Sequence, residues 1–220
     1  MNRLLAIDTS TTTASIALVE AGTVMKEREY RSARSHNSQL FEPLGELLRE
    51  YPDIDTLVVG TGPGSYTGIR IGIAAVLAVA MARDLPILPL PSVLALADDQ
   101  GTPFAILGDA RRGKFFHGRV DPESGAFLPL VGTSEEVSAA AADYVSDGLP
   151  LLLLDESARA VAPDGDHAVA DPPTAGRLAQ AVAALSPESI TTALAAIPLP
   201  IYLQAPFTTT PKKRAPKSGI

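Results

Sequence analysis

Apolar and polar positions along the first half of the chain form segments typical of buried strands and amphipathic helices. Apolar residues three and four positions apart predict a helix over residues 36–50, and a longer apolar segment predicts a helix over residues 66–83. Short apolar or alternating runs predict strands at residues 4–9, 14–20, 23–31, 56–60 and 86–90. Wherever a helix joins two of these strands, the strands should run parallel through a right-handed crossover.

The second half repeats this order of elements more weakly. Strands are predicted at residues 104–109, 114–120, 126–131, 151–154 and 201–204, and helices at residues 134–142, 174–185 and 187–196, with Ser134 as the N-cap of the first. We therefore predict two mixed α/β lobes, residues 1–102 and 103–207, followed by a flexible basic tail at 208–220. The order of elements resembles the ribonuclease-H-like lobes of the actin/hexokinase/Hsp70 superfamily, in which a ligand sits between two such lobes.

Composition narrows the classes of function. Of the 220 residues, 46% are hydrophobic and 20% charged, which indicates a globular protein. The chain has no cysteine and three well-separated histidines, which argues against a dedicated zinc site. A net charge of −7 opposes strong binding to a phosphate backbone. Four cations near the end predict a solvated tail, or alternatively a contact with RNA or a partner: Lys212, Lys213, Arg214 and Lys217.

Two further features concern location. The N-terminus lacks the apolar stretch and cleavage site of a signal peptide. The longest apolar run, at residues 71–82, is too short to span a bilayer about 30 Å thick. We therefore expect a cytoplasmic protein that does not associate with a membrane.

The first candidate for chemistry is an acidic residue at the end of the first predicted strand. Asp8 is followed by the hydroxyl side chains of Thr9 and Ser10. A carboxylate and hydroxyls in such a turn can hold Mg²⁺ through water and contact a phosphate. The alternative is a polar turn whose side chains bond to their own backbone and close a strand pair.

A matching loop follows the first strand of the second half, in the sequence GDARRGKFF. Asp109 is in place, but Arg111 and Arg112 occupy the turn where a phosphate-cradling loop needs glycine for close backbone approach. Neither GxGxxG nor GxxxxGK[ST] occurs in the chain. Half of a nucleotide site is missing, which argues against a self-sufficient ATPase or kinase.

The most informative stretch is GTGPGSYTGIRIGIAAVLAVAMAR at residues 60–83. Its glycines and Pro63 predict a tight turn, and Ser65 or Thr67 can cap the helix that follows. This helix is apolar nearly all round, so it must be covered on most sides, either by a partner or by its own sheet and loops. One stripe of small side chains would allow close backbone approach: Gly68, Gly72, Ala75 and Val79.

These blocks resemble the TsaB (YeaZ) family. The similarity runs through LLAIDTST, HNSQLFEPLGELL, GPGSYTGIRIGIAAVLAVA and GDARRGKFFHGRV, and returns in PLPIYLQ, where Gln204 replaces the Arg of a terminal YLR motif. The resemblance implies a two-lobed actin-like ATPase fold without catalytic activity. Such proteins bind the related protein TsaD, which with TsaE completes threonylcarbamoyl transfer to N6 of adenosine 37 in tRNA.

The resemblance also implies what this chain lacks. TsaD holds a metal through an HxxxH motif, whereas the matching positions here are His36 and Leu40, so no metal is expected. No cofactor is expected either, since ATP is used by the partner complex, and tRNA is contacted only through that complex. The vestigial phosphate and metal loops would comprise Asp8, Thr9, Ser10, Asp109 and Arg111.

The resemblance places the partner interface on helices 36–50 and 66–83, which pair with TsaD, or with a second copy, in a four-helix bundle. The expected contact residues are Leu40, Phe41, Leu44, Leu48, Ile69, Gly72, Ile73, Val76, Leu77 and Ala80. Two enzymatic alternatives stay open at this point. One is an ATP-dependent phosphotransferase or ATPase that uses Asp8 and Asp109. The other, a peptidase, is weakened by the absence of a histidine pair, a cysteine and a GxSxG motif.

Overall fold

The computed structural model describes residues 1–31, 36–98 and 100–204, and within these the side chains of all but residues 36–39. Its first sheet has the strand order β3-β2-β1-β4-β5, in which β1, β2 and β3 are antiparallel and β4 and β5 run parallel to β1. The strands are β1 (Arg3–Asp8), β2 (Thr13–Glu20), β3 (Thr23–Arg31), β4 (Thr56–Gly60) and β5 (Ile87–Leu90). Parallel pairing across the helical crossovers is thereby confirmed.

Two helices cover one face of this sheet. Helix α1 (His36–Glu50) and helix α2 (Tyr66–Arg83) have the predicted bounds, and Ser65 caps α2 by accepting a hydrogen bond from the Gly68 amide at 3.1 Å. Between sheet and helices lies a core that includes Leu5, Ile7, Ile16, Leu18, Leu40, Leu44, Leu57, Ile69, Ile73 and Val76. One side of α2 is therefore used within the lobe itself.

The second sheet packs toward the other face of the first. Its strands are β6 (Phe104–Arg111), β7 (Lys114–Asp121), β8 (Ala126–Phe127), β9 (Leu130–Gly132) and β10 (Leu151–Leu153), in the order β10-β6-β7-β8 with β9 also pairing with β7. A continuous core joins the two sheets, and helix α3 (Ser134–Ser146) covers the outer face of the second. The second mixed α/β lobe, predicted from the weaker repeat of the element order, is present.

The chain then returns to the first sheet. Helix α4 (Ala175–Gln180) packs on β1, β2 and β3, and helix α5 (Pro187–Leu194) packs on β5. The Ala175 amide donates to Ser15 Oγ at 2.7 Å, and the Gly176 amide donates to a Glu27 carboxylate oxygen at 2.7 Å. The sequence had assigned these helices to the second lobe. They lie here because α1 and α2 cover only one face of the first sheet, and the boundary after residue 102 stays a prediction.

Local details differ from the sequence prediction in four places. The segment 126–131 forms the two short strands β8 and β9, and the segment 174–185 divides into α4 and the 3₁₀ turn Ala181–Ala184. Helix α3 is capped by Thr133, not Ser134, because Thr133 and Glu136 form a reciprocal capping box. Residues 201–204 form no strand, and the Ile201 amide bonds instead to the Thr61 carbonyl. The predicted tail, 208–220, lies outside the described residues.

Helix α2 is also longer than the apolar run counted in the sequence. Its 18 residues are long and apolar enough to cross a membrane by length and composition alone, so the estimate from residues 71–82 was too short. A core helix passes the same test, and α2 buries one side against its own sheet. Its hydrophobicity is therefore weak support for a membrane span.

Candidate functional site

A cleft of about 700 Å³ lies where the two predicted loops meet. On one side it is bounded by the turn after β1 and the first residues of α2, and on the other by the β6–β7 hairpin. The polar groups that line it are Ser10, Thr11, Thr12, Ser65, Asp109, Arg111, Arg112, Asp155 and Gln204. The sequence thus predicted correctly that the two loops face one space.

Asp8, however, does not line this cleft. The residue is fully buried, and its Oδ1 accepts hydrogen bonds from the Ser10 amide at 2.8 Å and from Ser10 Oγ at 2.7 Å. Burial raises the pKa of the Asp8 carboxyl, an effect that hydrogen bonds from Ser10 and Ser92 offset only in part. The structure therefore does not bring Asp8 and Asp109 together as two carboxylates in one cavity. Thr9 is likewise buried outside the cleft.

The raised pKa has a consequence for stability. Because the unfolded chain releases the Asp8 proton at a lower pH than the folded chain does, Asp8 costs stability as pH rises above the ordinary carboxyl range. Asp8→Asn, which has no proton to release, should make the free energy of unfolding fall less between about pH 4 and pH 8. Urea unfolding at several pH values measures this, and equal pH slopes for the two proteins would contradict it.

The hairpin after β6 also differs from a phosphate loop. Arg111, Arg112 and Gly113 have consecutive positive φ angles of 70°, 58° and 71°, so two arginines hold the left-handed conformation that glycine usually adopts. The Arg111 amide donates to Asp109 Oδ1 at 2.6 Å, and the Asp109 amide donates to Asp155 Oδ2 at 2.9 Å. These amides serve carboxylates of the protein itself, not an incoming phosphate.

The residues present do not fit a magnesium–nucleotide complex. Such a complex needs an accessible carboxylate at the end of β1 and free backbone amides in the hairpin, whereas Asp8 is buried and the Asp109 and Arg111 amides already donate to carboxylates of the protein. Over residues 1–31, 36–98 and 100–204, no group of three or more histidine or acidic side chains could hold a metal ion.

The C-terminal part of the described chain crosses the cleft. Tyr202 stacks on Tyr66 with ring centroids 4.9 Å apart, and the Gln204 side-chain amide donates to the Ala110 carbonyl at 2.7 Å and the Arg111 carbonyl at 3.3 Å. Gln204 therefore ties this segment to the hairpin. Sequence reasoning singled out this position but did not find its contact, because the two residues are far apart in the chain.

The expected interface residues divide into two groups. Leu40, Leu44, Ile69, Gly72, Ile73 and Val76 are buried in the first lobe, so they do not form an exposed strip as predicted. Leu48 and Ala80 are half-buried, whereas Phe41 and Leu77 are 52% and 38% exposed. The prediction failed for the buried group because a helix that is apolar all round gives no signal of which side faces its sheet.

The uncovered side of α2 is nevertheless apolar. Thr67 and Arg70 are exposed on its first turns, and further along the helix the exposed side chains are mostly apolar. The exposed apolar residues Tyr66, Ala74, Leu77, Ala78 and Met81, the last of which is 87% exposed, together with exposed Phe41 on α1, are called the α2 face. A groove of about 380 Å³ runs beside it between Ala74, Leu77, Pro200 and Tyr202. Positions 74, 77, 78 and 81 follow helical spacing, a signal that was present in the sequence.

Gly64, before α2, and Gly68, in the predicted small-residue stripe of α2, both lie against the turn after β1. A Cβ on Gly64 would lie 2.0 Å from the Ser10 carbonyl oxygen, and one on Gly68 would lie 2.1 Å from the Thr9 carbonyl oxygen. The Ser65 amide donates to the Ser10 carbonyl at 2.6 Å, and Thr9 Oγ1 donates to the Gly68 carbonyl at 2.8 Å. The glycines therefore make room for the chain's own β1–β2 turn, not for a partner.

Comparison with known proteins adds to this picture. A family model described as "TsaD: tRNA N6-adenosine threonylcarbamoyltransferase" matches residues 13–168. A "tRNA threonylcarbamoyladenosine biosynthesis protein TsaB" from Bacillus subtilis is 35% identical over 136 residues, 58% of this chain and 59% of the relative. Its namesake from Escherichia coli is 35% identical over 99 residues, 43% of this chain and 42% of the relative. The matched part thus spans about half the length of these curated relatives.

The fold is also that of a solved structure. "YeaZ from Pseudomonas aeruginosa" superposes with a TM-score of 0.71 at 24% identity, over 92% of this chain and all of that one. The predicted fold class, two ribonuclease-H-like lobes of the actin-like ATPase type, is confirmed. Since the family model covers most of the chain and the curated relatives named above carry the name TsaB, the chain belongs to the TsaB (YeaZ) family.

Proposed function

We propose that this chain is a non-catalytic subunit in the synthesis of threonylcarbamoyladenosine at position 37 of tRNA, where it binds and activates a TsaD-like transferase. The names of its TsaB relatives support the pathway. The single observation that carries the role is the uncovered α2 face, which leaves Leu77, Met81 and Phe41 in contact with solvent. We further propose that a TsaE-like protein joins the complex, that the chain can pair with itself when alone, and that it acts in the cytoplasm.

The α2 face has the character of a protein interface. Burying one large apolar side chain fully contributes about 1.5–3 kcal/mol, and a few such residues near the centre of an interface dominate its affinity. The small exposed side chains of Ala74 and Ala78 would allow a partner helix to approach closely. The cleft, by contrast, does not expose the Asp8 carboxylate, and the Asp109 and Arg111 amides beside it already donate to carboxylates of the protein. Association therefore fits the molecule better than catalysis.

A reconstituted modification reaction tests this proposal. Met81→Asp should leave the chain folded and abolish both binding to the TsaD-like partner and formation of modified adenosine, because the partner would have to bury a carboxylate. Binding is measured by calorimetry and modification by mass spectrometry of the tRNA nucleosides. The matched control is Ala139→Asp on the exposed side of α3, which should change neither. A folded Met81→Asp variant with normal binding would refute this placement of the interface.

The enzymatic alternative makes an opposite prediction for ATP. We expect the isolated chain to hydrolyse ATP no faster than background, because Asp8 is buried and the Asp109 and Arg111 amides already donate to carboxylates of the protein. Phosphate release, measured with and without the TsaD-like partner, checks this. Turnover by the chain alone that disappears in Asp109→Ala would instead favour a phosphotransferase or ATPase.

A further inference from the structure

We infer that Asp8 is a positioning residue, which through Ser10 and Thr9 fixes the first turns of α2 and with them the α2 face. In an actin-like ATPase fold an acid at this place would be expected in the nucleotide cleft, and here it is turned into the protein. The inference about the helix concerns the isolated chain, and its consequence for partner binding rests on the function proposed above.

Asp8 closes a turn over residues 8–10. Its Oδ1 accepts both the Ser10 amide and Ser10 Oγ, so one carboxyl oxygen holds the backbone and the side chain of the residue two positions later. Asp8, Thr9 and Ser10 are all buried, so no water competes for these bonds. The conformation of residues 8–10 therefore depends directly on an acceptor at position 8.

This turn contacts the start of α2. The carbonyls of Ser10 and Thr9 lie against Gly64 and Gly68, where any Cβ would collide with them. The Ser65 amide and Thr9 Oγ1 add two hydrogen bonds across the same contact. The start of the helix thus rests on the backbone that Asp8 holds, and a shift of that backbone must move the helix.

Asp8 also contacts the segment that precedes α2. Its Oδ2 and Ser92 Oγ both crowd Gly60, at 1.9 Å and 2.6 Å from where a Cβ would be. Ser92 Oγ in turn accepts the Gly62 amide at 3.0 Å. Asp8 therefore touches both the segment that precedes the α2 N-terminus and, through Ser10, the helix itself. Oδ2 is buried and has no hydrogen-bond partner among the described residues.

The start of α2 carries part of the α2 face. Tyr66, Arg70 and Ala74 lie on the first turns of α2, directly opposite the contact with Thr9 and Ser10. Tyr66 also accepts a hydrogen bond from Arg70 and stacks on Tyr202. What these turns need from position 8 is an acceptor oxygen and a planar side chain of the same size, and not a charge.

Two substitutions separate this role from metal or nucleotide binding. Asp8→Asn keeps the acceptor oxygen and the shape, whereas Asp8→Ala removes both. Asp55→Ala is the matched control. Asp55 also accepts two backbone amides, those of Asn2 at 2.6 Å and Arg3 at 3.0 Å, but it lies at the other end of the central strands β1 and β4. Asp55→Ala should lower stability without moving the start of α2.

The chain has no cysteine, so the position of the helix can be measured with two introduced spin labels. Thr67→Cys on α2 and Arg28→Cys on β3 are both exposed sites. We expect the label-to-label distance distribution of Asp8→Asn and Asp55→Ala to match the parent, and that of Asp8→Ala to shift or broaden. Partner affinity should follow the same division, with a loss of about tenfold for Asp8→Ala alone.

Each outcome decides the matter. A folded Asp8→Ala variant with an unchanged distance distribution, or an Asp8→Asn variant as impaired as Asp8→Ala, would overturn the inference. If Asp8→Ala does not fold, Thr9→Val replaces it, since it removes the bond to the Gly68 carbonyl and keeps the shape; its distance distribution should shift or broaden, and an unchanged one would overturn the inference. The distances are measured without a partner, so a parent chain that binds no TsaD-like protein would refute the proposed function and leave this test intact.

Discussion

Ile73→Asp is expected to unfold the protein, whereas Ala74→Asp, at the next position of the same helix, should leave it folded. Ile73 is 7% exposed and packs in the core between α2 and the first sheet. Burying an unpaired carboxylate there costs several kcal/mol, a large part of the total stability of a domain. Ala74 is exposed beside the groove, so its carboxylate would stay in water.

Thermal unfolding followed by circular dichroism measures this difference. In a chain of this size each kcal/mol shifts the Tm by about 2–4 °C, so Ile73→Asp should lose native structure or unfold far below the parent. Ala74→Asp should keep the parent Tm and lose binding to the TsaD-like partner. If Ile73→Asp were a folded monomer that fails to bind, the α2 face would lie on the other side of the helix.

Positions 73 and 74 also show how much of this helix can be predicted from the sequence. The bounds of α1 and α2 could be predicted because helical spacing is a local property of the chain. Which side of α2 packs inward could not be predicted, since its apolar residues surround the axis and the choice depends on the sheet. The spacing of Ala74, Leu77 and Met81 identifies the outward side of α2 only when the contacts of Gly68 and Gly72 with the end of β1 and Thr9 are known.

The same limit applies to the candidate catalytic site. An acid at the end of β1 is visible in the sequence, but its burial depends on Gly60 and Ser92, which approach Asp8 only in the folded chain. The occupied hairpin could be anticipated better, because arginines at positions 111 and 112 already argued against a glycine loop. The packing of helices α4 and α5 on the first sheet could not be predicted, because the strands they contact lie about 100 residues or more away along the chain.

Two glycine substitutions should change stability in opposite directions. Gly68→Ala places a Cβ 2.1 Å from the Thr9 carbonyl oxygen, a backbone atom that cannot rotate away. Either the β1–β2 turn or α2 must move, and overpacking of this kind costs about 3 kcal/mol, more than the helix propensity of alanine returns. Gly45→Ala in α1 meets only the flexible end of Arg49 at 3.4 Å, so it should stabilise the protein by about 0.5–1 kcal/mol.

Urea unfolding of the two variants measures both effects against the parent. Both substitutions add one methyl group to a helix, in the first turn of α2 and in the middle of α1, so their difference mainly reports the contact between α2 and the turn that Asp8 holds. Gly68→Ala should also weaken partner binding, since a displaced α2 carries the α2 face with it, whereas Gly45→Ala should not. Equal stabilisation by the two alanines would mean that the turn at Thr9 and Ser10 does not press against α2, and the positioning role of Asp8 would lose its structural basis.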